Sequence, residues 1–314
     1  MKTEAIGGGI IKAANAMVDT TVLIIIVLLF AFAGYALWDS NQIYQTAEKA
    51  QYEVYKPTVE DEGKSFQELQ AINPEVFSWL NVYGTNIDYP VTQADDNMKY
   101  VNTNAEGNYS LSGAIFLDKS NSNDFSDFNN IVYGHHMEKK VMFGEIGNFS
   151  EQEMFDTRRY GNLYFDGKDH GIEFFAFVHA DAYDGSVFSP NVSEGARQAY
   201  LDNLLELATH KRDIGVTVND RIVLLSTCSS GSTNGRDILV GKLTGETYPD
   251  AFENTNLNDV REALDAVIRA SYRNEIWLLM LIPILISAAM VIRSVYVIHR
   301  SRNFKIIEPG TEQG

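Results

Sequence analysis

Residues 21–38 form an uncharged and strongly apolar run, which constrains the fold of this chain more than any other feature. A run of this length can cross a bilayer as a helix, whose backbone hydrogen bonds are satisfied within the segment. Lys2 and Lys12 precede the run, Asp39 follows it, and no small-residue cleavage site ends it. The sequence therefore predicts an uncleaved membrane anchor with a cytoplasmic N-terminus.

A second apolar run, residues 276–292, is followed by a basic tail. Either run could instead be a buried core helix, but flanking cations are typical of the cytoplasmic ends of membrane helices. We therefore predict a second span, with both termini in the cytoplasm and the intervening residues outside the membrane. The basic residues of the tail are Arg293, Arg300, Arg302 and Lys305.

The segment between the two runs contains many short apolar stretches separated by polar turns. This pattern favours a mostly β fold: a closed β-barrel with peripheral helices, flanked by N- and C-terminal transmembrane helices. Helical spacing covers 194–210 and 65–73, which residues 74–79 could extend and which Ser65 could cap together with Glu68. Strands are predicted at 80–84, 87–93, 113–118, 130–134, 216–227 and 236–243, and a hairpin is predicted at 163–178 with Asp166-Gly167 near its turn.

The chain has a formal net charge of −17 and a single cysteine, Cys228. The acidic balance argues against nucleic acid as a partner. One cysteine excludes an intrachain disulfide and a cysteine-based zinc site, and no motif indicates a cofactor. The acidic loop from Asp118 to Asp127 could bind calcium, although such loops are more often simply solvated. We therefore assign no metal site.

Cys228 ends an apolar strand, residues 221–228, and a polar turn separates this strand from one that begins at Arg236. A hairpin of this kind would bring the thiol and the guanidinium to one site. A fixed cation favours the thiolate, which is the nucleophilic form of cysteine. Isolated cysteines are usually buried and inert, so a nearby general base is needed to favour a catalytic cysteine over a structural one.

The pair His135-His136 is the best candidate for that base, because it directly follows a strand that ends at Tyr133-Gly134. Glycine permits a tight turn there, and strand ends commonly carry site residues. Either member could be the partner of Cys228. The other histidines fit less well: His170 in a predicted turn and His210 at a helix end are expected to be solvated, His179 closes a strand, and His299 lies in the cytoplasmic tail.

Three motifs, taken in order, resemble the class B sortases, which are membrane-anchored cysteine transpeptidases of Gram-positive bacteria. They are Tyr133-Gly-His-His-Met, Leu225-Ser-Thr-Cys228, and the Arg236 strand that ends Gly241-Lys-Leu243. The stretches 86–93, 113–118 and 142–144 and the helix at 194–210 also resemble this family, so that the resemblance covers roughly residues 66–245. It implies a sortase-like barrel and no cofactor.

The resemblance also implies roles for individual residues. His135, Cys228 and Arg236 correspond to the catalytic histidine, cysteine and arginine. Tyr133, Ser226, Thr227 and His136 would line the substrate site. The turn after Cys228 departs from the family, since it lacks the acidic residue often found there. The resemblance therefore does not extend to the substrate contacts next to Cys228.

A class B sortase would cleave the C-terminal sorting signal of secreted proteins, typically Asn-Pro-x-Thr, and transfer the thioacyl intermediate to an amine. The sequence favours an amine of the cell-wall precursor as acceptor, with a pilin lysine as the alternative because the second span is more typical of pilus-assembling sortases. A hydrolytic cysteine protease and a non-catalytic membrane-tethered binding module are the other hypotheses. The expected domains are a cytoplasmic segment (1–20), a transmembrane helix (21–38), a stalk (39–64), the sortase catalytic domain (65–250), a linker helix (251–275), a transmembrane helix (276–292) and a cytoplasmic tail (293–314).

Overall fold

A computed structural model of the chain describes residues 2–58, 62–228 and 234–252. The chain divides into two compact units: residues 41–254, which contain all the described strands, and residues 1–40 together with 255–314. The predicted linker helix, the second apolar run and the C-terminal tail lie outside the described residues.

Helix α1 (Lys2–Ala47) contains the first apolar run. Its segment Ala14–Gln45 is long and apolar enough to cross a membrane, and none of its most apolar window is buried inside the protein. Leu28 and Phe32 are 62% and 71% exposed, which is costly in water and favourable in lipid. Helix α1 therefore fits an N-terminal membrane anchor, while the orientation in the membrane stays a prediction.

The unit at residues 41–254 is built around a barrel of eight strands that closes on itself. The sheet order is β5-β1-β2-β3-β4-β8-β9-β6, β6 also pairs with β5, and β7 is added to the outer edge of β6. Pairs β2–β3 and β4–β8 are parallel, and the other pairs are antiparallel. The strands are β1 (Val76–Val82), β2 (Asp88–Thr92), β3 (Ile115–Leu117), β4 (Asn129–Tyr133), β5 (Tyr160–Phe165), β6 (Lys168–Asp181), β7 (Ala208–Lys211), β8 (Arg221–Cys228) and β9 (Gly235–Leu243). A short helix, α3 (Gln152–Thr157), precedes β5.

The predicted closed barrel with peripheral helices is thus confirmed, and alternation along β8 shows how it is packed. Val223 and Leu225 join the cluster that fills the barrel, whereas Ile222 and Leu224 face the cluster beneath helix α4 (Arg197–Leu207). All four side chains are fully buried. Burial on both faces explains why this strand is a continuous aliphatic run.

Three local predictions about helices are wrong. Helix α2 (Lys64–Ile72) is preceded by Gly63 in a left-handed conformation, and Ser65 donates its hydroxyl to the Lys56 carbonyl (2.8 Å) rather than capping the helix. Residues 74–79 do not extend it, because β1 already begins at Val76, where buried positions pair with β2 and β5. The helix predicted at 194–210 is also too long, because α4 ends at Leu207 and residues 208–211 form β7.

Gly241 on β9 offers a test of the barrel packing. A methyl group at this position would collide with Ile172 Cγ2 and lie 3.0 Å from Phe174 Cδ1, and both side chains are fully buried. Overpacking of this kind costs about 1–3 kcal/mol, so Gly241→Ala should lower the free energy of unfolding by that amount in denaturant titrations. Gly185→Ala, where nothing lies within 4 Å, is the matched control; equal stability of the two variants would contradict this packing.

Candidate active site

Strands β4, β8 and β9 bring the three motifs to one end of the barrel. In the antiparallel β8–β9 pair, Cys228 lies opposite Arg236. In the parallel β4–β8 pair, Tyr133 lies beside Ser226, and the Gly134 amide donates to the Ser226 carbonyl (3.1 Å). His135 and Cys228 each come two residues after that pair, so the two residues lie at the same level at this end of the barrel. The turn at 229–233 lies outside the described residues.

Arg236 is half-buried at the start of β9. Its Nη1 donates to the Gly235 carbonyl at 3.0 Å, and no carboxylate of the described residues forms an ion pair with it. Its charge reaches the Tyr133 phenol, because it counteracts the rise in the pKa of that group. A guanidinium at this position can donate hydrogen bonds to a negative charge that develops in the site.

The ring of His135 is fixed by a main-chain carbonyl. Its Nε2 lies 2.8 Å from the oxygen of Val101, which ends a short 3₁₀ turn (Lys99–Val101). A carbonyl oxygen can only accept a hydrogen bond, so Nε2 carries a hydrogen in both protonation states of the ring. Nδ1 is then the nitrogen that can take up or release a proton.

The loop that follows His135 closes on itself. The Phe143 amide donates to the His135 carbonyl (3.1 Å), and His136 forms an isolated β-bridge with Met142. Gly134 is required here, since a Cβ atom would lie 2.7 Å from the ring of Phe143. We refer to residues 135–143 as the histidine loop.

Tyr133 forms an aromatic wall next to these residues. Its ring packs against Phe116 (5.4 Å between centroids) and stacks on Phe188 (6.4 Å). Its hydroxyl donates to Asp118 Oδ2 (3.1 Å), which also accepts from the Asn97 amide group (2.8 Å). Burial and the charge of Asp118 raise the pKa of the Tyr133 phenol, so it stays a neutral donor.

Ser226 and Thr227 do not share one environment. Both are buried, and neither hydroxyl has a hydrogen-bond partner among the described residues. Because side chains alternate along β8, Ser226 lies on the face of Ile222 and Leu224, and Thr227 lies on the opposite face with Leu225. Of the two, only Ser226 is on the same face as position 228.

The remaining histidines of the barrel serve structural contacts. His170 was expected to be solvated in a turn, but it lies within β6, is 5% exposed and stacks on Phe165 at 3.8 Å. The turn at Asp166-Gly167 ends earlier than position 170, which explains the error. Burial lowers the pKa of His170. His210 lies on β7 with Nε2 2.6 Å from the Ser150 carbonyl, and His179 Nδ1 lies 2.6 Å from Asp237 Oδ1.

Sequence reasoning missed Val101, Asp118 as a partner of Tyr133, and Phe188. In the acidic loop considered for calcium, carboxylates accept hydrogen bonds from main-chain amides of the same loop. Asp118 accepts from Ser120 (2.8 Å), and Asp127 accepts from Ser122 (2.6 Å). Within the described residues, no three His, Cys, Asp or Glu side chains gather in a way that could hold a metal ion.

Comparisons with known proteins find relatives among the sortases. No protein-family model matches the chain. Sortase B of Staphylococcus aureus is 27% identical over 236 residues, which are 71% of this chain and 96% of that protein. Sortase B of Listeria monocytogenes is 27% identical over 233 residues, 70% of this chain and 94% of that protein.

Solved structures extend the comparison at higher identity. Sortase B from the type II pilus of Streptococcus pneumoniae is 50% identical, with a TM-score of 0.51, and covers 58% of this chain and 99% of its own. A Streptococcus pyogenes class B sortase involved in pilus biogenesis is 37% identical, with a TM-score of 0.54 and coverage of 58% and 99%. The Clostridium perfringens sortase B is 36% identical, with a TM-score of 0.54 and coverage of 57% and 98%. This chain therefore belongs to the class B sortases, the family of cysteine transpeptidases that its three ordered motifs indicate.

Proposed function

We propose that this sortase cleaves an Asn-Pro-x-Thr type sorting signal of secreted proteins, with Cys228 as nucleophile, His135 as general acid and base, and Arg236 as the group that stabilises the oxyanion. The single observation that carries the assignment is the register of β4, β8 and β9: Cys228 pairs with Arg236, and His135 follows β4 two residues after the Tyr133–Ser226 pair, at the level of Cys228. Tyr133, Ser226 and His136 are the proposed neighbours of the substrate. Thr227 is the weakest of the substrate-site candidates, because it lies on the other face of β8.

The proposed reaction has two half-reactions. The Cys228 thiolate attacks the threonine carbonyl, and Arg236 donates hydrogen bonds to the oxygen that becomes negative. His135 gives its Nδ1 proton to the leaving amine, so the peptide bond breaks and a thioester remains. An incoming amine then attacks the thioester and loses a proton to His135. The product is a new amide bond, and the thiolate is regenerated.

A pilin lysine is our proposed acceptor. The sequence favours a cell-wall precursor amine, but two of the solved relatives, at 50% and 37% identity, come from pilus systems by their own descriptions. These similarities support the pilin lysine over the cell-wall amine, which becomes the alternative. We also propose that the enzyme is anchored in the cell membrane, with an extracellular catalytic domain at 65–250 and cytoplasmic termini. The apolar helix α1 supports the anchor.

Substitutions at the three catalytic positions test the assignment. Cys228→Ala should abolish both thioester trapping and amide product with an Asn-Pro-x-Thr peptide, as followed by mass spectrometry. His135→Ala should lose about 100-fold to 10,000-fold in kcat, the usual contribution of a general acid–base group, and His136→Ala should lose far less. Thermal unfolding checks that each variant is folded. An active Cys228→Ala enzyme would exclude the mechanism, and the reverse ranking of the histidines would move the base to His136.

Tyr133 should contribute to peptide binding rather than to chemistry. Tyr133→Ala removes the wall between Phe116 and Phe188, so KM for the peptide should rise roughly tenfold, equivalent to about 1.4 kcal/mol of binding. Tyr133→Phe keeps the ring and removes only the bond to Asp118, and its KM should change much less. A loss of kcat with unchanged KM in Tyr133→Ala would contradict this role.

A competition between acceptors tests the proposed transfer. The full-length enzyme is given one sorting-signal peptide and equal amounts of a pilin lysine peptide and a peptidoglycan cross-bridge mimic. We expect the lysine amide as the main product by mass spectrometry. Preference for the cross-bridge mimic would support the cell-wall acceptor instead, and hydrolysis that neither amine suppresses would indicate a protease.

A further inference from the structure

The histidine loop has an unusual backbone for a segment without glycine. Lys139 and Lys140 both have φ of 60°, and Met142 has φ of 52°. These values lie in the left-handed region, which side chains with a Cβ rarely adopt because it is strained. Such strain persists only where the surrounding structure fixes it, and it is concentrated at functional sites. The contacts that fix this loop therefore matter for the position of His135.

The hydroxyl of Tyr89, on β2, makes the first of these contacts. It accepts a hydrogen bond from the Met142 amide (3.0 Å) and donates one to the carbonyl of Ala47 (2.9 Å), the last residue of α1. Tyr89 is 1% exposed, and Ala47 is also 1% exposed. One buried oxygen thus connects the end of the N-terminal helix with the histidine loop.

A second contact joins the same two segments. The ammonium group of Lys139 lies 4.2 Å from the ring centroid of Tyr44, one turn before the end of α1. This is a favourable cation–π distance. Tyr44 and Ala47 belong to the same compact unit as the barrel, and both pack against its core. The last turn of α1 therefore touches the histidine loop at two points of its strained section.

We propose that the last turn of α1, residues 44–47, is a positioning element for the catalytic histidine, acting through Tyr89 and Lys139. This inference rests on the proposed role of His135. Met142 is adjacent to Phe143, whose amide bonds the His135 carbonyl, and it also bridges to His136. A shift of Met142 would consequently be passed to the histidine ring. The N-terminal helix then has two tasks: it tethers the enzyme and it holds one catalytic side chain in place.

Two pairs of variants of the full-length protein in detergent micelles test the proposal. Tyr89→Phe removes only the bridging hydroxyl. Tyr200→Phe is its matched control, since Tyr200 is also buried and its hydroxyl also makes two hydrogen bonds, to Asn129 and Val187. On α1 itself, Tyr44→Leu removes the aromatic face that Lys139 contacts, and Tyr44→Phe retains it.

The kinetic expectation is a loss in kcat without a change in KM for the sorting peptide. Tyr89→Phe should lose about tenfold or more in kcat, because a misplacement of about 1 Å can cost up to 100-fold. In Tyr44→Leu, kcat should also fall. In Tyr44→Phe and Tyr200→Phe, kcat should stay at the wild-type value. If Tyr200→Phe loses as much kcat as Tyr89→Phe at the same thermal midpoint, the loss reflects stability and the proposal is wrong.

Hydrogen exchange separates this inference from the assignment of the catalytic residues. Exchange of the Met142 and Phe143 amides should accelerate in Tyr89→Phe and Tyr44→Leu and stay unchanged in Tyr200→Phe. This measurement needs no catalysis, so it reports on the link even if the roles of Cys228 and His135 are wrong. Unchanged exchange in both Tyr89→Phe and Tyr44→Leu would overturn the proposal, whereas accelerated exchange in these variants of an enzyme whose wild type is inactive would overturn only the proposed function.

Discussion

The pairing of β8 with β4 on one side and with β9 on the other is the constraint on which the rest of this structure depends. Both faces of β8 are buried, so its register cannot slip by one residue without exposing aliphatic side chains to the wrong environment. The fixed register in turn fixes which residues reach the end of the barrel. Cys228 and Arg236 are opposite each other for this reason.

Much of the barrel could be predicted because the alternation and turn signals in this sequence are strong. The hairpin at Asp166-Gly167 and the strand ending at Cys228 lie where the pattern indicated. Errors occur where local patterns were ambiguous. Residues 74–79 have an apolar spacing that suits either a helix or a strand, and only pairing with β2 and β5 decides for the strand. Ser65 looked like a cap, yet the cap position is Gly63, two residues earlier.

The site could be predicted only in part, because its supporting groups carry no sequence signal. His135 follows a recognisable strand end, but its partner is the main-chain carbonyl of Val101, which any residue could supply. Similarly, the bond between Tyr133 and Asp118 joins residues that are 15 positions apart in sequence, and the antiparallel pairing of β3 with β4 brings them together. Motifs identify reacting groups, whereas the topology decides what holds them.

The three proposed catalytic residues are therefore held in two different ways. Cys228 and Arg236 lie on paired strands of a closed barrel, where each position is fixed by ladder hydrogen bonds and by a packed core. His135 lies beyond its strand and depends on a carbonyl at Val101 and on a loop with strained backbone. In a ping-pong transfer the base must serve two successive amines, one leaving and one entering. A nucleophile and an oxyanion donor on paired strands need no further support in either step. A general base on a loop does need it, so the contacts of the histidine loop with Val101 and Tyr89 matter for both half-reactions.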